Sequence, residues 1–401
     1  MKKILAVCSN SIHKKMFTAL QTKNKFLKYE LKIALIHILC TDDSSLDNFG
    51  LNSLQELKEN SRYLLYLLKT LTYVFFKGHN IISRKINMIN PDIILLGNDT
   101  GHFERSIIRM ARKKKITTML LQDGLLFHRQ KRGSFDKLYC SLFTFYQKNV
   151  ARYIGGVKYG YGGCDFFLAL GNCWVDFILN DGVSLYEQIH VVGSPYFELF
   201  IPIAKQLHSL NKPKTKPTKK LVITYFLTNF LTGLDDKKAH TLQLIEIEHM
   251  YKILKCRLNQ NFQLILKIHP HDSLRNYSKL RLLGTQLKLT KKEPLESLFT
   301  KSQLCITNFS SVFVQAYFNN RPYLLSNIFL KKTKYSNFIV SLNQPTLSSL
   351  LEFDYLISRI QQDISFLSIK SDADKKMESI IDYNPKNSSS KRILDLINNI
   401  L

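Results

Sequence analysis

The sequence predicts an α/β protein of two Rossmann-like domains that face each other across a cleft. Short apolar runs with the length of strands alternate with longer segments of helical pattern in both halves of the 401 residues, and this order is typical of parallel sheets. Between the halves, residues 205–220 hold six lysines, two prolines and no acidic residue, which is the composition of a linker. The predicted domains are therefore residues 1–204 and 221–401.

In the first half, the predicted strands are apolar runs bounded by turn and capping residues. Pro91 and Asp92 form a turn signal directly before one run. Ser9 or Asn10 is a suitable cap for a helix after the first strand. The predicted strands are residues 3–8, 31–39, 93–97, 116–121, 166–170 and 189–192, and the predicted helices are residues 10–23, 103–115 and 172–180.

The second half repeats the alternation after the linker. Its first helix follows Asp235 and Asp236, which we interpret as capping residues rather than metal ligands. The predicted strands are residues 221–226, 263–268, 304–307 and 322–325, and the predicted helices are residues 237–259, 294–301, 312–318 and an amphipathic segment at 388–401.

The chain is strongly basic. It has 57 lysines and arginines against 31 acidic residues, a net charge of +26, which indicates an anionic partner such as a nucleotide-linked substrate, nucleic acid or an acidic membrane surface. Residues 105–132 hold nine of the basic residues and one acid, and form either a solvated face or a surface for a polyanionic acceptor or acidic lipid. The hydrophobic content of 45% excludes a disordered chain.

Cysteine usage and apolar runs indicate the compartment. Seven cysteines without a CxxC spacing are typical of buried thiols in a reducing environment, not of zinc sites or disulfides. The longest apolar stretch, residues 63–76, is interrupted by Lys69 and is shorter than the about 20 residues that a spanning helix needs. The first apolar run, at residues 4–8, is too short for a signal peptide. We expect a cytoplasmic protein and leave open peripheral contact with the membrane's inner face.

Gln122, Asp123 and Gly124 directly follow a predicted strand. Ligands of open parallel sheets bind at the carboxyl ends of the strands, so the Asp123 carboxylate is placed to accept a proton from a substrate hydroxyl as a general base. The alternative is an ordinary Asp-Gly turn that only ends the strand.

His269 and Pro270 follow a strand of the second half. The proline stops the strand and holds the histidine at its end, where an imidazole can bind a phosphate and stabilise a leaving group. Lys267 points to the same face of the sheet, which makes it a candidate for the same nucleotide. The alternative is a histidine that only caps the strand end.

Ser310 and Ser311 lie between a predicted strand and a predicted helix. Backbone N–H groups at a helix start, together with two hydroxyls, are typical of an anion site, and Asn308 is placed to orient the loop. The alternative is an ordinary serine cap. Gly193, in the turn that closes the first half, belongs either to a nucleotide-facing loop or to a plain turn.

The order of these motifs resembles the bacterial sialyltransferases and polysialyltransferases, which are two-domain GT-B glycosyltransferases with an acid-acid-Gly, a His-Pro and a Ser-Ser/Thr motif. The matching residues are Gln122-Asp123-Gly124, His269-Pro270 and Ser310-Ser311. The resemblance implies that Asp123 is the general base, and that His269, Ser310 and Ser311 bind the phosphate of the donor nucleotide. Gln122 departs from the family, which usually has an acid there. Capsule transferases that use activated Kdo, and CDP-glycerol-type polymerases, share much of the second half.

We therefore expect an inverting glycosyltransferase of capsule or lipopolysaccharide synthesis. The expected donor is a CMP-activated acidic sugar of the sialic acid or Kdo type, and the expected acceptor is an anionic glycan or glycolipid. No divalent-metal motif is evident between the domains, so metal independence is expected. The alternatives are a polyol-phosphate transferase with a CDP-glycerol-type donor, a nucleotide-sugar 2-epimerase, and a basic nucleic-acid-binding or scaffold protein, although we expect no nucleic acid as partner.

Overall fold

The structure is a computed structural model that describes residues 2–23, 29–35, 79–126, 159–180, 185–200, 220–231, 234, 236–270, 272–363, 372–384 and 386–401. The apolar stretch at residues 63–76, the linker residues 205–219, the last four residues of the predicted second strand and Asp235 lie outside this part of the chain.

The first sheet consists of six parallel strands in the order β2-β1-β3-β4-β5-β6. Its strands are β1 (Lys2–Cys8), β2 (Tyr29–Leu35), β3 (Ile93–Leu96), β4 (Thr117–Leu121), β5 (Phe166–Ala169) and β6 (Ile189–Val191). All four side chains of β3 are buried, as expected for a parallel strand that is covered on both faces. All six predicted strands of this half are therefore present, within a few residues at their ends.

Five helices accompany these strands in the part of this half that the structure describes: α1 (Ser11–Lys23), α2 (His79–Ile89), α3 (His102–Lys113), α4 (Cys173–Asn180) and α5 (Pro195–Glu198). α1, α3 and α4 agree with the predicted helices. α2 is not among the predicted helices; it buries Ile82 and Ile86 fully.

The second sheet is also parallel and six-stranded, in the order β12-β11-β10-β7-β8-β9. Its strands are β7 (Leu221–Phe226), β8 (Phe262–Lys267), β9 (Leu287–Thr290), β10 (Leu304–Thr307), β11 (Tyr323–Ser326) and β12 (Thr346–Leu347). β9 and β12 are short strands that the sequence does not predict. Two six-stranded parallel sheets confirm the predicted α/β class.

The second half contains α6 (Lys237–Leu258), α7 (Leu295–Lys301), α8 (Val312–Phe318), α9 (Ser336–Ser341), α10 (Leu350–Gln362), α11 (Asp372–Ile380) and α12 (Ser389–Ile400). α6 packs Ile247 and Met250 into the core formed with β7 and β8. Asp236 caps α6, because its Oδ1 accepts the N–H of Ala239 at 2.9 Å, which confirms its predicted role. Among the described residues, every helix is too short or too polar to cross a bilayer.

The chain divides into two compact units, and the end of the chain belongs to the first of them. The predicted second domain reaches residue 401, but Ser379–Leu401 is part of the first unit, where α12 packs on α1 and α5. Two hydrogen bonds hold this return: Trp174 Nε1–H donates to the Ile380 carbonyl at 2.9 Å, and the Asp382 N–H donates to the Leu170 carbonyl at 2.7 Å. These contacts join residues far apart in sequence, so composition alone could not predict them.

Candidate active site

Asp123 lies directly after β4, at the carboxyl edge of the first sheet, and its side chain is 30% exposed. Gly124 has no positive φ, and a Cβ added there would meet nothing within 4 Å. The turn therefore does not depend on glycine at this position. An accessible carboxylate at a strand end is suited to proton transfer.

A buried histidine holds this carboxylate. The Nε2 of His13 lies 2.9 Å from Oδ2 of Asp123, although the two residues are 110 positions apart in sequence. His13 is fully buried on α1, in line with the buried Met16, Phe17 and Leu20. The sequence motifs do not predict His13 as part of the site. The available signal is a polar side chain within the apolar stripe of the first helix.

The hydrogen bonds of Gln122 explain why this residue is an amide, although the acid-acid-Gly motif has an acid at its position. The side chain is fully buried. Its Nε2 donates to the Gly124 carbonyl at 2.7 Å, and its Oε1 accepts the Leu170 N–H at 3.1 Å. A carboxylate could not donate to the carbonyl, whereas the amide joins the end of β4 to the end of β5. Gln122 is therefore a structural link that supports the position of Asp123.

Two further acids of the described residues, Asp99 and Glu104, follow β3 at the same edge of the sheet, and both are buried. Asp99 accepts the N–H groups of Gly160 at 2.9 Å and Gly162 at 2.6 Å. Glu104 accepts from the Ser9 hydroxyl at 2.6 Å. Burial, opposed by the two glycine N–H groups and reinforced by the nearby Glu104, raises the pKa of Asp99 to about 7.

The raised pKa of Asp99 predicts a specific pH dependence of stability. Between about pH 4 and pH 7 the unfolded chain releases this proton while the folded chain retains it, so the contribution of Asp99 to the free energy of unfolding falls as the pH rises. The Asp99→Asn variant lacks this titration. We expect the stability advantage of the wild type over Asp99→Asn, measured by thermal unfolding, to shrink between pH 5 and pH 8. An advantage that grows or stays constant would contradict the buried, protonated carboxyl.

In the second unit, His269 and Pro270 follow β8, as predicted. His269 is half-buried, and its carbonyl accepts the Asp272 N–H at 2.9 Å, which closes the turn after the strand. This turn holds the histidine at the carboxyl edge of the second sheet, where its predicted role requires it.

Ser310 and Ser311 are the third and fourth residues after β10, and both are half-buried. β7 lies between β10 and β8, so the serine loop and His269 stand about 10 Å apart at the same edge, two strand spacings. Between them β7 leads to Thr228, a buried residue whose hydroxyl has no hydrogen-bond partner in the part of the chain that the structure describes. The two motifs are thus placed on one edge, with a spacing that a nucleotide can span.

Asn308 fixes the start of the serine loop, which confirms its predicted orienting role. The side chain is fully buried. Its Oδ1 accepts from Gln243 Nε2 at 2.7 Å and from the Tyr225 hydroxyl at 3.1 Å, and its Nδ2 donates to the Ser326 carbonyl at 3.0 Å. A single amide therefore connects the end of β10 with α6, β7 and β11.

Gly193 and Lys267, which the sequence predicts as nucleotide ligands, have contacts within the protein. Gly193 is buried with φ +74°, and a Cβ there would lie 2.4 Å from the Asp382 carbonyl oxygen, so this glycine allows the close approach of the chain return. The Lys267 ammonium donates to the carbonyls of Lys291 at 2.7 Å and Glu293 at 2.6 Å, and partial burial lowers its pKa. Lys267 therefore braces the loop after β9. These contacts give both residues a structural role, and their assignment as nucleotide ligands stays a prediction.

Comparison with known proteins identifies the fold. No family model and no curated protein matches the sequence. The chain resembles S. aureus MnaA solved with UDP, with a TM-score of 0.55 at 16% identity over 100% of this chain and 97% of that one. It also resembles the UDP-GlcNAc 2-epimerase of Methanocaldococcus jannaschii, with a TM-score of 0.56 at 14% identity over 100% of both chains. The wall teichoic acid polymerase TagF gives 0.50 at 14% identity, over 99% of this chain and 88% of that one. The chain therefore has the GT-B fold.

Proposed function

We propose that the protein is an inverting glycosyltransferase of surface polysaccharide synthesis, with Asp123 as the general base. The observation that carries this proposal is the accessible Asp123 carboxylate at the end of β4, bonded to the buried His13. In one displacement, Asp123 takes the proton of an acceptor hydroxyl, and the hydroxyl oxygen forms a bond to the anomeric carbon. The bond from that carbon to the nucleotide phosphate breaks, and its electron pair leaves with the phosphate.

The second unit supplies the groups that receive the leaving phosphate. His269 and the loop of Ser310 and Ser311 lie on one sheet edge, and Asn308 holds that loop rigidly. Donors fixed in advance stabilise developing charge without reorganisation. The proposed donor is a CMP-activated acidic sugar of the sialic acid or Kdo type, without a metal ion. The excess of basic residues supports an anionic glycan or glycolipid as the acceptor.

A nucleotide-sugar epimerase is the second candidate, because three carboxylates lie at the edge of the first sheet and two structural neighbours are such epimerases or bind UDP. An epimerase that moves a proton on the sugar needs carboxylates that reach it. Asp99 and Glu104 are buried and bonded within the protein, which leaves Asp123 as the accessible carboxylate among the described acids of this edge. The geometry therefore favours transfer over epimerisation.

The first test is thermal unfolding with CMP, CDP, UMP and UDP, in the wild type and in His269→Ala. A ligand at 100 times its Kd stabilises a protein by about 2.7 kcal/mol, which is easily measured as a rise in Tm. We expect CMP or CDP to raise the Tm of the wild type but not of His269→Ala. The control is His249→Ala, an exposed histidine of the same unit, which should keep the shift.

The outcomes separate the candidates. A shift with uridine nucleotides alone contradicts the cytidine donor and supports the epimerase, since the neighbouring structures include a UDP complex and a UDP-GlcNAc 2-epimerase. No shift with any nucleotide, together with salt-dependent binding of DNA, overturns the transferase and supports the nucleic-acid alternative. If cytidine nucleotides bind, a donor labelled at the phosphorus next to the transferred group distinguishes a sugar transferase from a polyol-phosphate transferase. Only the polyol-phosphate transferase carries that phosphorus into the product.

A further inference from the structure

We propose that His13 is the positioning residue of the transfer reaction, which holds the Asp123 carboxylate by a fixed hydrogen bond; this inference rests on the proposed function. His13 is fully buried, whereas Asp123 is 30% exposed, so the histidine lies behind the carboxylate rather than beside the substrate. A residue in that place cannot act on the acceptor directly. It acts through the atom that it binds.

The ring nitrogens of His13 have different partners, which determines its tautomer. The Ser9 N–H lies 3.2 Å from Nδ1 and is able only to donate, so Nδ1 accepts. Because Nδ1 accepts, the one ring proton of the neutral imidazole is on Nε2 and is donated to Oδ2 of Asp123 at 2.9 Å; the side-chain amide nitrogen of Asn10 also lies near Nε2, at 3.2 Å. The backbone N–H of His13 donates to Oδ1 of Asn10 at 2.9 Å and fixes the start of α1 below the ring. The histidine is thus a neutral donor to the carboxylate.

The position of the ring depends on a glycine. β1, which leads into His13, and β4, which leads into Asp123, are not neighbours in the sheet, because β3 lies between them. Gly97 directly follows β3, and a Cβ there would lie 2.5 Å from the His13 ring. The imidazole therefore packs directly against the backbone at Gly97, where any side chain would collide with the ring. Burial and the close approach of this backbone restrict the orientation of the ring.

This arrangement has a chemical consequence for the reaction. The hydrogen bond from His13 uses one lone pair of Oδ2, and we assign the acceptor proton to Oδ1, for which His13 does not compete. The proton stays on Asp123, and His13 keeps its own proton throughout, because Nδ1 is already bonded to Ser9. A carboxylate that is held in one orientation needs no rearrangement before it accepts the proton, and misplacement of a reacting group by about 1 Å costs about 100-fold in rate.

The kinetic test compares His13→Leu, His13→Gln and the control His190→Leu. His190 is a half-buried histidine of the same unit, and its Nε2 has no partner among the described residues. We expect His13→Leu to lower kcat by about 10- to 100-fold with an unchanged donor KM. His13→Gln, whose amide can donate to Asp123, should recover most of the rate, and His190→Leu should match the wild type. Full activity of His13→Leu, or no recovery in His13→Gln, would overturn the positioning role.

A double variant shows that the histidine acts through Asp123. If it does, His13→Leu combined with Asp123→Asn loses no more rate than Asp123→Asn alone. Additive losses would instead assign His13 an independent role and overturn the inference. The nucleotide shift in Tm must persist in every His13 variant, because the proposed nucleotide groups belong to the other unit. A wild type without nucleotide shift and without turnover refutes the proposed function, whereas an active His13→Leu refutes the positioning role alone.

The tautomer provides a readout that needs no activity and no unfolding-prone variant. Nitrogen-15 NMR of histidine-labelled protein should report a protonated Nε2 and an unprotonated Nδ1 for His13, with the Nε2 signal displaced in Asp123→Asn. The opposite tautomer, or a signal that does not respond to Asp123→Asn, would contradict the hydrogen bond on which the inference depends.

Discussion

Replacement of Asp123 by asparagine is expected to lower the rate of sugar transfer by about 10²- to 10⁴-fold, the usual contribution of a general base. The amide has nearly the same shape, and its oxygen can still accept the Nε2–H of His13. It has no affinity for a proton, however, so the acceptor hydroxyl must react without a base. Binding of the nucleotide, measured as a rise in Tm, should remain as in the wild type.

The matched control for this variant is Asp176→Asn. Asp176 is an exposed carboxylate on α4 of the same unit, and its loss should leave both transfer and nucleotide binding unchanged. If Asp123→Asn retains full activity, Asp123 is not the base, and the alternative of a turn residue that only ends β4 is restored. If it instead loses the nucleotide shift, the carboxylate supports the fold rather than the chemistry.

The largest expected effect on stability belongs to Gly193→Ala. A left-handed backbone costs a non-glycine residue about 1–2 kcal/mol, and overpacking adds about 1–3 kcal/mol. The new Cβ would lie 2.4 Å from the Asp382 carbonyl, 2.5 Å from the Ser389 hydroxyl and 2.8 Å from the Arg392 guanidinium. The Asp382 carbonyl cannot withdraw without breaking the neighbouring bond from its N–H to Leu170. We therefore expect the free energy of unfolding of the first unit to fall by about 2–5 kcal/mol.

The only tryptophan of the chain reports on this region. Trp174 is buried and donates to the Ile380 carbonyl, so its fluorescence follows the docking of the chain return during denaturation by urea. The control is Gly124→Ala, where φ is not positive and the added Cβ meets nothing within 4 Å. Gly124→Ala should unfold like the wild type. Equal midpoints for Gly193→Ala and the wild type would mean that the return does not pack against Gly193 in solution.

The sequence predicts the local structure correctly wherever that structure depends on a few consecutive residues. The structure contains a strand at each apolar run that predicts one. Asp236 caps α6 as predicted, because the capping hydrogen bond joins residues only three positions apart. Asp123, His269 and Ser310 stand at strand ends for the same reason. Their placement requires only that an apolar run stops and a turn begins. The chemical roles of these residues remain predictions, because a strand end is compatible with both a catalytic group and a plain turn.

The contacts of Lys267 and Gly193 could not be predicted from the neighbouring residues in the sequence. The pleat correctly places Lys267 on one face of β8, but which partner meets its ammonium depends on the loop after β9. The conformation of Gly193 serves a segment that returns almost 190 residues later. The role of a glycine or lysine at a strand end therefore depends on which segment of the chain packs beside it.

By itself, the sequence determined two parallel α/β halves and the strand ends at which polar residues collect, because apolar periodicity and turn residues act over short distances. Only the tertiary structure decided that His13 holds Asp123, that Gln122 links two strands, and that the last helix joins the first unit. Each of these depends on the order of strands in the sheet. That order is set by the packing of the whole unit, and no short segment of the chain contains it.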